Sequence, residues 1–311
     1  MSELRKALHD YLALRRALGF KLTSQGKLLH SFVDYADRQG VIFITRDFVL
    51  RWALSSPHGQ LTYCARRLNV VRRFAEYRAG ADPRTDVPPR GLLRERYRRK
   101  LHYVYSDRDI QKIVRAALRL PAHRGLRATT FATIFGLLAI TGLRISECLS
   151  LNREDVDLAK GILHVRHSKF DKSRLVPLHP SACDALKRYA RLRDRIFPHL
   201  KDQRFFISEV GAGLSLSQAY HTFCKLTRSI SLRKPRMEHP PRLHDFRHGF
   251  AIRTLERLYQ TGADVERQLP VLATYLGHVD VVGTYWYLTA TPELLRLAQL
   301  RSDSNRREAS R

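Results

Sequence analysis

The sequence predicts a mainly α-helical chain of two domains, the second of which carries a small antiparallel β-sheet. Three observations predict it: apolar residues recur at helical spacing along most of the chain, a Pro- and Arg-rich stretch interrupts that pattern at 81–102, and two short β-type runs flank one polar turn. At 311 residues with 44% apolar content, the chain can fill a core in each domain.

Residues 3–18 place Leu4, Leu8, Tyr11, Leu12 and Leu18 on one helical stripe, with Leu14 at its edge, before Gly19. Residues 24–39 repeat the pattern with Leu28, Leu29, Phe32, Val33 and Tyr35, between Ser24 and Gly40. Further helices are expected at 46–54 and 59–78, giving a small helical domain over residues 1–80. In the fourth helix Leu68, Val71, Phe74 and Tyr77 keep apolar spacing, while Arg66, Arg67, Arg72, Arg73 and Arg78 supply a basic face suited to phosphates or simply to solvent. Pro83, Pro88, Pro89 and Gly91, followed by RERYRRK, predict an extended basic linker over 81–102, with Arg98, Arg99 and Lys100 as further candidate contacts to a polyanion.

The second domain is expected over 103–300. A helix begins after Ser106, and residues 128–140 form a strongly apolar one with Phe131, Ile134, Leu137 and Leu138 buried, stopped by Gly142. Residues 162–166 and 173–178 predict a β-hairpin with Lys169 near its tip, and Pro177 puts the second strand at an edge. A third short strand is expected at Phe205-Phe206-Ile207. The remainder reads as helical to about Leu300, and 301–311 as a polar tail with nothing to bury.

The 56 Lys and Arg against 29 Asp and Glu leave +27, a field that concentrates polyanions. Residues 1–100 hold 21 basic and 9 acidic side chains, so both halves are positive, unlike a neutral enzyme with a basic tail. No apolar run approaches the ~18 residues of a membrane helix, which predicts a cytoplasmic, nucleoid-associated protein with no membrane partner. Cys64, Cys148, Cys183 and Cys224 form no C-x-x-C pair and read as reduced core fillers.

The candidate chemistry lies in five short words. Arg144 stands in TGLRISECLSL, where Glu147, one turn on, can brace its guanidinium. Lys169 stands in HSKFDKSRLVPL with Lys172 as a rival, and His244 and Arg247, at i and i+3 in RLHDFRHGFA, share a helix face. His278 follows Gly277 in YLGH, and Tyr287 follows Tyr285 and Trp286 in TYWYL. Fixed cations around a phenol suit attack on a phosphodiester, because charge builds on the non-bridging oxygens and an arginine fork never loses its charge. A metal reading of His244 and His248 at i, i+4 meets Asp245 where the zincin word has glutamate, with an arginine opposing the cation between them. No metal is therefore expected, and His248 reads as structural.

In their order, and with nine residues from His278 to Tyr287, these words resemble the tyrosine recombinase (phage integrase) family over roughly residues 5–300, with the specific motifs within 141–288. The resemblance implies an N-terminal helical core-binding (SAM-like) domain and an α/β catalytic domain that together clamp double-stranded DNA. It implies that Arg144 and Arg247 hold the scissile phosphate with His278, that Tyr287 attacks to form a 3′-phosphotyrosine, that Lys169 protonates the leaving 5′-hydroxyl, and that His244 assists proton transfer. Ser168 and Phe170 replace the glycines that flank the family's hairpin lysine. A homotetramer on paired sites with no cofactor is further implied, in a mobile-element integrase or transposase. A type IB topoisomerase and a catalytically inactive DNA-binding relative are the alternatives.

Overall fold

The computed structural model describes residues 2–56, 60–93, 102–166, 173–278, 280–288 and 291–309. Lys169, Arg98, Arg99 and Lys100 lie outside them. The chain divides into two compact units, residues 1–99 and 100–311.

Unit 1 is built from α1 (Glu3–Ala17), α2 (Thr23–Arg38), α3 (Arg46–Leu54) and α4 (Leu61–Ala79). Ser2 and Thr45 cap α1 and α3 by accepting from the backbone N–H groups of Arg5 and Phe48. Leu4, Leu8, Leu29, Phe32, Phe48, Trp52, Leu68 and Phe74 meet in one core, where each large side chain contributes about 1.5–3 kcal/mol. Leu18 and Leu14 are exposed, so the α1 stripe ends at Leu12: α1 terminates at Ala17, and Leu18 lies past its last turn.

The segment expected as an unpacked linker begins as part of this unit. Asp82 is buried and receives Arg78 and Arg84, Asp86 N–H donates to Ile44 O at 2.8 Å, and Val87 packs on the core with Leu93. Apolar Val87 and Leu93 and paired carboxylates outweigh the extended bias of the prolines.

Unit 2 contains α5 (Asp107–Leu118), α6 (Leu126–Thr141), α7 (Ile145–Ser150), then β1 (Val156–Asp157), β2 (Ile162–Val165) and β3 (Arg174–Pro177). It continues with α8 (Pro180–Ile196), α9 (Leu216–Ser229), α10 (Asp245–Gln260), α11 (Val265–Leu276), α12 (Val282–Leu288) and α13 (Pro292–Ala309). A capping box between Ser106 and Asp109 starts α5. The sheet is antiparallel in the order β1-β2-β3, with Leu163 opposite Val176, and Pro177 lies on an edge strand as expected.

The third strand is Val156–Asp157 and not 205–207. Phe205, Phe206 and Ile207 are buried against Tyr189, but this stretch is held by isolated bridges flanking it, Asn152 with Arg204 and Ile207 with Gly213. Their apolar run reports burial without a ladder. The expected polar tail is also helical, since α13 runs on to Ala309 and Arg301 donates to Ala263 O.

Two cores position the site. Phe135, Phe223 and Phe246 join α6, α9 and α10, while Ile252, Leu255, Leu272, Leu276, Tyr287 and Leu294 join α10 to α11, α12 and α13. Helix α10 belongs to both and carries polar residues between them. Among the described residues, no helix is long and apolar enough to cross a membrane.

Candidate active site

Two helices end where the candidate residues meet. Helix α6 stops at Gly142 (φ +61°) and α11 at Gly277 (φ +70°), left-handed positions that favour glycine and leave helix-end carbonyls without intrahelical donors. Guanidinium groups fill that need. Arg247, 1% exposed on the first turn of α10, donates to Gly142 O at 3.0 Å and to Leu276 O at 2.5 Å. The negative ends of two helix dipoles thus stabilise a buried cation that has no carboxylate partner among its hydrogen bonds.

Arg144, the residue before α7, donates to Glu147 at 2.6 Å and to Gly277 O at 3.2 Å. Glu147 also takes a two-pronged contact from Arg174 at 3.1 and 2.8 Å, and Arg174 donates to Tyr275 O at 2.7 Å. Burial pushes Glu147 up, yet Arg174 and Arg144 more than offset it and hold the carboxyl below its usual range. Arg144 and Arg174 therefore share one carboxylate, Glu147, while Arg247 bonds only backbone carbonyls, so these three cations keep an excess of positive charge suited to an anion.

Tyr287 lies in this cluster. It is 3% exposed, its ring stacks with His278 at 6.2 Å and 15°, and the Arg247 guanidinium is the nearest cation acting on its phenol. Burial raises the phenol's pKa, while Arg247 and Arg144 pull the other way by favouring a phenolate. His278 Nδ1 is 2.7 Å from Thr284 Oγ1, a contact that fixes the ring's orientation. His244 precedes the first residue of α10, next to His248 at 4.7 Å between ring centroids. Burial first and Arg247 second lower both His244 and His278 to about 4, so both rings are neutral at pH 7 and able to accept a proton or a hydrogen bond.

The structure thus brings together Arg144, His244, Arg247, His278 and Tyr287, which 143 positions of sequence separate. Tyr285 is 53% exposed, which sets it apart from buried Tyr287. Sequence reasoning missed Arg174. The available signal was strand periodicity, which puts Arg174 on the same face as buried Val176 and opposite exposed Leu175.

In unit 1, Arg66 and Arg73 are exposed on α4 and line a groove of about 710 Å³ with Arg15, Tyr63 and Asn69. Arg72 lines it too, but is largely buried and paired with Glu76 at 2.6 Å. Arg67 departs from the expected basic face. It is buried with its guanidinium 4.0 Å from the centre of the Trp52 ring, because position 67 is one turn from Val71 on the core side of α4.

His102, Asp245 and His248 bring ligand-type atoms within 4.8 Å of one another. A cation fits poorly there. Arg242 donates to Asp245 at 3.1 Å and its Nη2 lies 2.8 Å from His102 Nδ1, so a guanidinium already takes the place a metal would need.

Comparison with known proteins shows the family and the fold. A chain from Sinorhizobium fredii named as a candidate integrase/recombinase, y4rB, is 43% identical over 305 residues, covering 97% of each chain. The tyrosine recombinase XerD of Caulobacter vibrioides is 32% identical over 232 residues, 74% of this chain and 72% of that one. The solved structure of the Tn1549 transposon integrase with transposon right-end DNA superposes with a TM-score of 0.66 at 16% identity, covering 97% of this chain and 99% of that one, a likeness of fold. The family model of the phage integrase family matches residues 105–293, the stretch that holds every residue of the cluster, and the chain belongs to that family of tyrosine recombinases.

Proposed function

We propose that this protein is a site-specific DNA recombinase of the integrase or transposase type, which cleaves and rejoins duplex DNA through a 3′-phosphotyrosine on Tyr287. The observation that carries the reading is a buried phenol beside a buried guanidinium whose hydrogen bonds go to backbone carbonyls and to no carboxylate. Such a guanidinium is left with uncompensated positive charge, and a scissile phosphate beside the phenol supplies the balancing anion.

In this reading Arg144 and Arg247 hold the non-bridging oxygens as charge builds on phosphorus, and His278 donates to the same oxygens. Tyr287 Oη forms the new bond to phosphorus, and its proton passes to neutral His244. The bond from phosphorus to the 5′-oxygen breaks, and Lys169, which lies between β2 and β3 in the sequence, gives that oxygen a proton. Reversal by a 5′-hydroxyl from a second duplex completes the exchange with no net loss of phosphodiester energy. Arg174 and Glu147 act by orienting Arg144. The exposed Arg66 and Arg73 of unit 1 contact the backbone phosphates of the duplex, and four protomers act on two sites.

Mixing two differently labelled DNA sites tests the function. Recombinant joints that disappear with Tyr287→Phe support it. Relaxation of supercoils without joints between the two labels would replace it by a topoisomerase, and binding without cleavage of either would replace it by an inactive DNA-binding relative.

A further inference from the structure

The chain leads into α5 through a short segment, His102 to Tyr105, that none of the motif words covers. Tyr105 fastens it to the start of α10, donating to Arg242 O at 2.8 Å and stacking on Phe246 at 4.6 Å. That placement delivers His102 to the back of the site. Its ring stacks on His248 at 3.7 Å between centroids and meets Trp286 edge-on at 4.5 Å. His248 lies 5.5 Å from Tyr287 and 5.3 Å from Trp286, so a continuous path of rings runs from His102 to the phenol.

The members of this path are held in different ways. His102 is oriented by polar contacts, with Nδ1 2.8 Å from Arg242 Nη2 and 3.4 Å from fully buried Asp245. His248 is 7% exposed, and neither of its ring nitrogens has a hydrogen-bond partner among the described residues. No directional bond therefore fixes the His248 ring, and only packing does. Tyr287 and Trp286 sit on α12, a helix of seven residues, too short to hold its own orientation. The wall behind the phenol thus takes its position from the outermost ring.

We propose that His102 is a positioning residue for Tyr287, acting through the His248 and Trp286 rings to hold the phenol in line with the phosphate. It touches no reacting atom. The role rests on the reading of Tyr287 as nucleophile. Since a displacement of about 1 Å at a reacting group can cost 10²-fold in rate, loss of the stack slows cleavage while leaving the phosphate-binding guanidiniums in place.

The test is single-turnover adduct formation by the full chain on a nicked suicide substrate at saturating DNA, comparing His102→Ala, His102→Asn and His102→Phe. His102→Asn keeps an acceptor for Arg242 but no ring; His102→Phe keeps the ring but no acceptor. Ala and Asn are expected to slow the adduct by about 10–100-fold with DNA affinity unchanged, and Phe, an aromatic of similar volume, to recover most of the rate. In a Trp52→Phe background Trp286 is the sole tryptophan, and its emission should move to longer wavelength in the Ala and Asn variants but not in the Phe variant. A wild-type rate for His102→Ala, or equal losses in all three variants in step with their melting temperatures, overturns the positioning role. A wild-type protein that forms no adduct overturns the nucleophile assignment itself, so the two failures are distinct.

Discussion

Replacing Arg247 by alanine should cost stability and chemistry by separable amounts. The side chain is buried and donates to Gly142 O and Leu276 O, so its removal leaves two helix-end acceptors unpaired. At about 1–3 kcal/mol for each buried acceptor the loss is about 2–6 kcal/mol. Release of repulsion from Arg144, which helps burial lower Arg247 to about 10, places the result toward the lower end. The chemical step should slow by about 10²–10³-fold, the cost of removing one donor to a developing oxyanion. Urea denaturation reads the first quantity and the time course of covalent adduct at saturating DNA the second. Arg247→Lys separates charge from fork: it should recover part of the stability yet still form adduct well below the wild-type rate, because one ammonium cannot span both carbonyls and the phosphate. A folded Arg247→Ala variant that forms adduct at the wild-type rate would refute the reasoning.

Acidification should destabilise the fold through the histidines. His244 and His278 are lowered to about 4 and His248 to about 3, against 6.5 when unfolded, so below pH 6.5 the unfolded chain binds protons that the folded chain refuses. The melting temperature should fall from pH 6.5 toward 4, with the lowered carboxyls of Glu147 and Asp245 extending the fall below that; a flat profile over this window would contradict the burial of neutral rings. Gly142→Ala should lose at least about 1–2 kcal/mol, since the residue has φ +61° and a Cβ would stand 2.7 Å from Phe250 Cδ1; wild-type stability by denaturant titration would contradict the left-handed stop. The salt dependence of DNA affinity should weaken by about two units of slope in Arg66→Ala/Arg73→Ala, while Arg67→Ala should chiefly lower the melting temperature; the reverse pattern would show that the buried arginine faces DNA.

Much of this was legible in sequence because it follows from periodicity and stops. The helices of unit 1, the β2–β3 hairpin and the edge placement of Pro177 came from spacing alone. Glu147 and Arg144 could be paired because i, i+3 neighbours meet on one helix face. Arg67 was misread because an arginine counts as polar in any pattern, although its stem and a Trp52 face can bury it. The burial of 205–207 without a ladder, and the packing of Val87 and Leu93 on unit 1, depend on partners distant in sequence. The pairing of Arg247 with two helix-end carbonyls was equally hidden, since Gly142 and Leu276 lie 105 and 29 residues away. His102 belongs to no motif, and only its contacts reveal it.

The most direct measurement of the central claim is peptide mapping of the covalent protein–DNA adduct after protease and nuclease digestion. The expected product is a nucleotide esterified to the phenol of Tyr287, joined through a 3′-phosphate. A nucleotide on exposed Tyr285, or a 5′-phosphate linkage at either residue, would contradict it.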